Sequence, residues 1–262
     1  MPPFLFSVLS VSLWFNSLTI LPMCGRYTLV RIADLTEIFP WINDDLPEAP
    51  PRYNIAPMQP ILAIANDHPN KYDFFFWGLV PPWAKDTSIG ARMINARGET
   101  LGTQSAFRNA YKRRRCLIPA DGFYEWKKSP DSKKKTPMYI RMRSGKPFAF
   151  GGLWETWSSP DGSELRSCTI VTTKPNELMA TMHDRMPVII PPEAYQEWLD
   201  RGERAPRELD KLLVPYRDDE LEATPISTFV NSAKNDGPAC IAPPDEEPPA
   251  KQKSDDQPTL FG

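Results

Sequence analysis

Prolines are the strongest constraint on this chain: there are 30 in 262 residues, and they are spread along the sequence rather than gathered in one linker. Proline fixes φ, lacks a backbone N–H and breaks helix interiors. A first third punctuated by Pro47, Pro50, Pro51, Pro57, Pro60, Pro81 and Pro82 therefore favours short strands joined by rigid turns over long helices. Strand candidates rich in β-branched and aromatic residues are Ile61 to Ala65, Tyr72 to Trp77, Cys116 to Pro119, Phe123 to Lys127, Pro137 to Met142, Phe148 to Leu153 and Ser167 to Thr172. Helical spacing is confined to Ile32 to Phe39, Leu101 to Tyr111, Pro192 to Arg201 and Pro206 to Leu213, with a turn at Asn176 to Met182. No regular βαβ alternation emerges. The pattern predicts an α+β fold, a largely antiparallel sheet or open barrel with a few short helices.

The ends read differently from the body. Phe4 to Leu21 is mostly apolar but carries no Lys or Arg and is broken by Ser and Thr, so it lacks the charged start of a secretory signal and is at the short limit for a membrane span. The preferred account is that residues 1–22 are upstream of a natural start at Met23, ahead of a removed pro-segment and of a membrane anchor. Residues 23–242 then form one catalytic domain, and 243–262, rich in Pro, Asp, Glu, Lys and Gln, form a disordered tail. A net charge of −2 gives no global nucleic-acid signature, so any basic surface has to be local. Cys24, Cys116, Cys168 and Cys240 are far apart and only two histidines are present, which argues against a zinc site or a disulfide framework and fits a reducing cytoplasm.

Cys24 carries the most specific chemistry. If the chain began there, its α-amine and thiol would form a 1,2-aminothiol, with unperturbed pKa values of roughly 7.7–8.0 and 8.5. Such a group serves as an N-terminal nucleophile, or condenses with an aldehyde to an imine that the sulfur closes into a thiazolidine. The alternative is an ordinary buried thiol. Glu125, set between Tyr124 and Trp126, is either solvated or buried with the raised pKa that a general acid or base requires. His183 stands beside Asp184 and Arg185, whereas His68 in a polar turn reads as a surface residue.

Six motifs occur in order: Met-Cys-Gly-Arg-Tyr at 23–27, Tyr-Asn-Ile-Ala-Pro at 53–57, Trp-Gly-Leu-Val-Pro-Pro-Trp at 77–83, Asn-Ala-Arg-Gly-Glu-Thr at 95–100, Cys-Leu-Ile-Pro-Ala-Asp-Gly-Phe-Tyr-Glu-Trp at 116–126 and His-Asp-Arg-Met-Pro at 183–187. Together they resemble the SOS-response-associated peptidase (SRAP) family, the abasic-site processing proteins. The resemblance implies binding of abasic sites in single-stranded DNA and a covalent thiazolidine crosslink through Cys24. It also implies autoproteolytic removal of whatever precedes that cysteine, a hydrolase activity. Asn95 would position the amine and sugar, Glu125 shuttle protons, and His183 assist ring opening and imine formation. No metal or other cofactor is implied.

Single-stranded DNA needs cations for phosphates and flat or apolar faces for bases. Arg26, Asn54, Pro57, Trp77, Trp83, Arg97 and Arg185 are the candidate contacts. Lys112 to Arg115 and the cluster from Lys127 to Lys135 are candidate extensions of the basic surface. Gly98 departs from the family pattern, where alanine is expected. Gln257, Leu260 and Phe261 resemble the short motif with which bacterial proteins bind the sliding clamp. The expected protein is a cytoplasmic, nucleoid-associated monomer with no membrane partner. A cysteine N-terminal-nucleophile amidohydrolase and an exported binding protein remain the readings from other classes.

Overall fold

The computed structural model describes residues 24–42, 46, 49–129 and 132–244. The leader 1–22, nearly all of the tail and the clamp-type residues Gln257, Leu260 and Phe261 lie outside them. Among the described residues, thirteen strands appear in chain order: β1 (Tyr27–Leu29), β2 (Arg52–Ile55), β3 (Pro60–Ala65), β4 (Asp73–Trp77), β5 (Asn95–Arg97), β6 (Arg115–Ala120), β7 (Gly122–Ser129), β8 (Ser132–Met142), β9 (Phe148–Ser158), β10 (Glu164–Thr173), β11 (Met186–Pro187), β12 (Ile189–Ile190) and β13 (Leu221–Pro225). Helices are single turns or little more, the longest of the α type being Arg108–Arg113. The helix expected over Leu101 to Tyr111 begins only at Arg108, after a run of turns.

Two sheets organise the chain. One runs β13-β8-β7-β1-β2, and the other contains a closed ring: β10 pairs β4, then β3, β6 and β9 follow, and β9 returns to β10. Every pairing in the ring is antiparallel except β10 with β4. The α+β expectation therefore holds, with the barrel closed rather than open. Closure leaves those five strands no unpaired flank, a geometry that suits short strands.

Aromatic side chains fill the core. Tyr27 lies edge-on to Trp77 at 5.4 Å and to Phe150 at 5.8 Å, and Phe150 meets Phe123 at 5.9 Å. All four are fully buried, each phenylalanine worth roughly 1.5–3 kcal/mol in removed apolar area. Around this core, local chemistry places the N-terminal segment. The Asp121 carboxylate accepts from the Thr28 hydroxyl and from the Val30 and Arg31 backbone N–H groups, tying the three-residue β1 to the start of β7. Gly122 follows because the Tyr139 ring lies across it, so that a Cβ there would fall 2.2 Å from Cε2.

A second close approach mounts the loop carrying Trp83. Gly78, at φ +140°, and Gly90 face each other so tightly that a Cβ on either would lie 2.7 Å from the carbonyl oxygen of the other. Leu79 N–H donates to Met93 O and the Trp157 indole donates to Ala84 O at 2.8 Å, holding the loop at both ends. Among the described residues no helix is long and apolar enough to cross a membrane.

Candidate active site

β1 and β7 are antiparallel neighbours, with Tyr27 opposite Phe123 and the Tyr124 N–H donating to Arg26 O. Continuing that register sets residue 25 opposite Glu125 and residue 24 one step further along. The Cys24 backbone nitrogen donates to Glu125 Oε1 at 2.7 Å. It is a peptide nitrogen here, occupying the place the α-amine would take in a chain starting at Cys24. Cys24 is fully buried and sits at φ +47°, in the left-handed region that side chains other than glycine rarely adopt. Burial, and then the nearby Glu125 charge, push its thiol well above the ordinary cysteine range. Both open readings of this residue describe part of what is found: the thiol is buried, and its nitrogen faces a carboxyl.

Glu125 is 5% exposed. Burial raises its pKa to about 7, against the opposing pull of the Cys24 and Trp126 N–H groups and of Lys135. It therefore sits close to half-protonated at neutral pH, able to give or take a proton. His183 is half-buried. Burial lowers its pKa, Asp184 opposes that shift, and Lys135, Arg185 and Lys128 reinforce it. The Lys135 charge acts on both Glu125 and His183, and Asp184 acts on Glu125, which places carboxyl and imidazole in one electrostatic neighbourhood. His183 Nδ1 accepts the Arg185 N–H at 3.2 Å and lies 2.8 Å from Asp184 Oδ1. The neutral ring uses the first contact and the protonated ring the second, so each protonation state has a partner.

Asn95 differs from its expected setting. The sequence suggests a loop before a helix, but Asn95 opens β5, which runs parallel to β10 with Asn95 opposite Ile170 and Arg97 opposite Thr172. Three residues between turns carry too little periodicity to announce a strand. Gly98, just after it, faces Leu213 and the Thr172 carbonyl, each 3.2 Å from a Cβ placed there. An alanine at 98 would need those neighbours to yield a few tenths of an ångström, so the departure from the family pattern matches the local space.

Several of the candidate DNA contacts already have partners within the protein. Trp77 is fully buried and its indole donates to Ile94 O at 2.9 Å, so it braces the residue before Asn95 instead of offering a stacking face. Asn54 is also buried, with its amide donating to the Val230, Ser232 and Asn235 carbonyls while its oxygen accepts from Arg26 Nη1 at 3.0 Å. Arg185 makes a two-pronged pair with Glu99 at 2.9 and 2.8 Å and donates to Thr172 O at 2.8 Å, which commits its fork to the protein. Arg115 is buried and donates to backbone carbonyls of Trp198, Tyr111, Lys112 and Asp200, while Arg113 and Arg114 pair with Glu203 and Glu155. The three arginines of that basic run are thus engaged within the protein. Arg97 and Trp83 remain exposed, Pro57 is half-buried, and Arg26 is half-buried on the Asn54 and Val230 acceptors.

Sequence reasoning assigned no role at the site to Glu99 or Thr172. Glu99 lies within the motif at 95–100, and its relation to Arg185 is visible only once β5 and β10 are side by side. Among the described residues no group of three or more His, Cys, Asp or Glu could hold a metal ion.

Comparison with known proteins bears on this arrangement directly. Residues 23–233 match the family described as SOS response associated peptidase (SRAP). The "Abasic site processing protein YoqW" of Bacillus subtilis is 51% identical over 223 residues, covering 84% of this chain and 99% of that one. The "Abasic site processing protein HMCES" of Gallus gallus is 33% identical over 189 residues, 64% of this chain and 56% of that one. Among solved structures, a Bacteroides thetaiotaomicron protein superposes with a TM-score of 0.75 at 23% identity, covering 84% of this chain and 99% of its own, a likeness of fold. A phage-related protein from Bordetella bronchiseptica gives 0.62 at 29% identity, covering 79% and 95%. With the family match extending over most of its length and beginning immediately before Cys24, this chain belongs to the SOS response associated peptidase (SRAP) family.

Proposed function

We propose that this protein captures abasic sites in single-stranded DNA as a covalent thiazolidine on Cys24, once the residues before Cys24 are removed. The observation that carries the reading is the 2.7 Å contact between the Cys24 nitrogen and a Glu125 carboxyl whose pKa burial raises to about 7. The names of its relatives as abasic site processing proteins supply the substrate class.

The chemistry balances with these groups alone. The closed sugar loses its anomeric hydroxyl proton and gains one on the ring oxygen, giving the open aldehyde. A neutral His183 is suited to accept the first of these protons, with Asp184 beside the imidazolium that results. The Cys24 amine adds to the aldehyde carbon, and the carbinolamine leaves as imine and water when Glu125 protonates the departing hydroxyl. The thiol then adds across the C=N bond, sulfur to carbon and its proton to nitrogen. One water is released overall. Asn95, on β5 beside the site, is suited to orient the amine and sugar, and exposed Arg97 and Trp83 to meet phosphate and base.

The same geometry supports removal of the preceding residues. The left-handed φ of Cys24 exists as a peptide torsion only while a residue precedes it. Cleavage therefore relieves strain of roughly 1–2 kcal/mol. In this reading the thiol attacks the carbonyl carbon of residue 23 while Glu125 protonates the nitrogen as it leaves, and water then hydrolyses the resulting thioester on the Cys24 sulfur, releasing residues 1–23 as a carboxylate and restoring the thiol. On the same reading the protein works in the cytoplasm beside DNA, and the tail peptide with Gln257, Leu260 and Phe261 tethers it to the sliding clamp. Anisotropy of a labelled Lys253 to Gly262 peptide with the clamp tests that tether, and absence of binding at ~10–50 μM, weaker than about −6 kcal/mol, removes it.

Intact-mass analysis before and after incubation with single-stranded DNA containing one abasic site tests the main proposal. The expected product is the chain from Cys24 plus the oligonucleotide less one water. An unchanged mass for protein with a free Cys24 amine, or the same adduct from Cys24→Ala, would overturn it.

A further inference from the structure

The two basic clusters of the sequence have opposite fates. Arg113, Arg114 and Arg115 of the first run are engaged by carboxylates and carbonyls. The lysines at 127–135 lie on the ribbon made by the far ends of β7 and β8. β1 pairs β7 only at Gly122 and Phe123, and β13 pairs β8 only from Met138 to Met142. Beyond Trp126 opposite Pro137, the two strands continue as Lys127 opposite Thr136, Lys128 opposite Lys135 and Ser129 opposite Ser132, with no third strand alongside among the described residues. The Trp126 indole, donating to Asn231 at 2.7 Å, braces the base of this arm.

Its charge is lopsided. Lys127, Lys128, Lys133, Lys134 and Lys135 face a single acid in the segment, Asp131, in a chain whose net charge is −2. Lys127, Lys128 and Lys135 are exposed, and no carboxylate among the described residues lies within 4.0 Å of them. Lys128 and Lys135 are direct cross-strand partners, an arrangement of like charges that destabilises a ribbon. An anion lying across the pair would relieve that repulsion. The arm springs directly from the site, since Glu125 lies opposite Met138 on the same pair of strands one residue before Trp126; the Lys128 and Lys135 charges act on His183, and Lys135 also on Glu125.

We propose that the β7–β8 ribbon is a phosphate-binding arm that holds the single strand on one side of the captured sugar, with Lys128 and Lys135 as its paired contacts. This rests on the proposed function above and adds a second anchoring point, distinct from Arg97 on β5. The occupant is the backbone of a nucleic-acid strand: its phosphates recur along the chain and meet paired cations without any demand on base sequence.

The test is anisotropy of a labelled, undamaged single strand over a salt series, comparing wild type with Lys128→Ala/Lys135→Ala. Two lost phosphate contacts should make the slope of log K against log salt shallower by about 1.4, since each contact on a single strand contributes about 0.7. Lys128→Arg/Lys135→Arg should keep the wild-type slope. Either single alanine variant should show about half the change, which preserves the test if the double variant does not fold. An unchanged slope in folded variants overturns the arm. Aggregation with an unchanged slope also overturns it, because the lysines would then be guarding an open strand edge. A wild-type protein that binds no single strand overturns the proposed function itself, whereas binding and crosslinking by wild type with equal slopes in all variants overturns the arm alone.

Discussion

Glu125 and Glu99 are two carboxylates at opposite ends of one site, and their settings give them opposite chemistry. Glu125 is walled in, faces backbone N–H groups, and burial lifts its pKa to about 7. Glu99 is open to solvent and gripped by both prongs of Arg185, whose hydrogen bonds pull its pKa below the usual carboxylate range. One therefore carries protons at neutral pH and the other stays ionised as a fastener between β5 and the end of β10. What separates them is access to water and to a cation, not residue type.

The comparison can be broken most severely at the group Glu125 faces. Cys24→Ala should abolish the stable adduct, and Cys24→Ser should leave at most an imine trapped only by reduction, both read by intact mass. Next, Glu125→Gln should slow adduct formation by about 10²–10⁴-fold, the usual worth of a positioned proton carrier, while undamaged strands still bind. Glu99→Gln should cost the rate less than about tenfold. Equal losses from the two would erase the distinction.

Stability supplies a third contrast. In protein that keeps Met23, a rise of Glu125 from 4.5 to about 7 is worth about 3 kcal/mol. Because the folded pKa is the raised one, the protonated group's contribution is complete below about pH 4.5 and is lost as pH climbs through about 7. Glu125→Gln should therefore stabilise the protein at about pH 8, by up to that amount, and change little at about pH 4, as read by urea unfolding. Glu99 runs the other way: its stabilisation is present above the usual carboxylate pKa and lost as acid protonates it. As an exposed pair, its loss in Glu99→Gln at neutral pH should cost only about 0.2–1 kcal/mol. The smallest effect separates the arginines at Glu99's end of the site. Arg97→Ala should lower the salt slope of strand binding by about 0.7. Arg185→Ala should leave that slope alone and act through the Glu99 carboxylate and Thr172 carbonyl that its guanidinium holds.

Strands with alternating or aromatic runs, such as β3, β4, β6 and β9, were legible because their own residues carry the period. β1, β2 and β5 were not, since three or four residues become strands only when a neighbour supplies the ladder. The same limit governed the site. Cys24, Glu125 and His183 were singled out by chemistry next to each of them in sequence. Trp77 and Arg185 have protein partners, Ile94 and Glu99, that lie outside their own motifs and could not be read there. A motif residue that props up its neighbour looks in sequence just like one that touches a ligand.

Trp83 is 59% exposed, the largest apolar side chain presented to solvent among the described residues, yet its loop is pinned where Gly78 and Gly90 meet backbone to backbone. Exposure and looseness are thereby uncoupled. A tryptophan on a slack loop loses backbone and side-chain freedom at the moment a base stacks on it, and each ordered residue forfeits roughly 1–2 kcal/mol. Here most of that loss was taken when the barrel folded. If Trp83 stacks on a base as proposed, the two glycines act on affinity at a distance, because a methyl group at either would loosen the mount of that ring without touching the ligand.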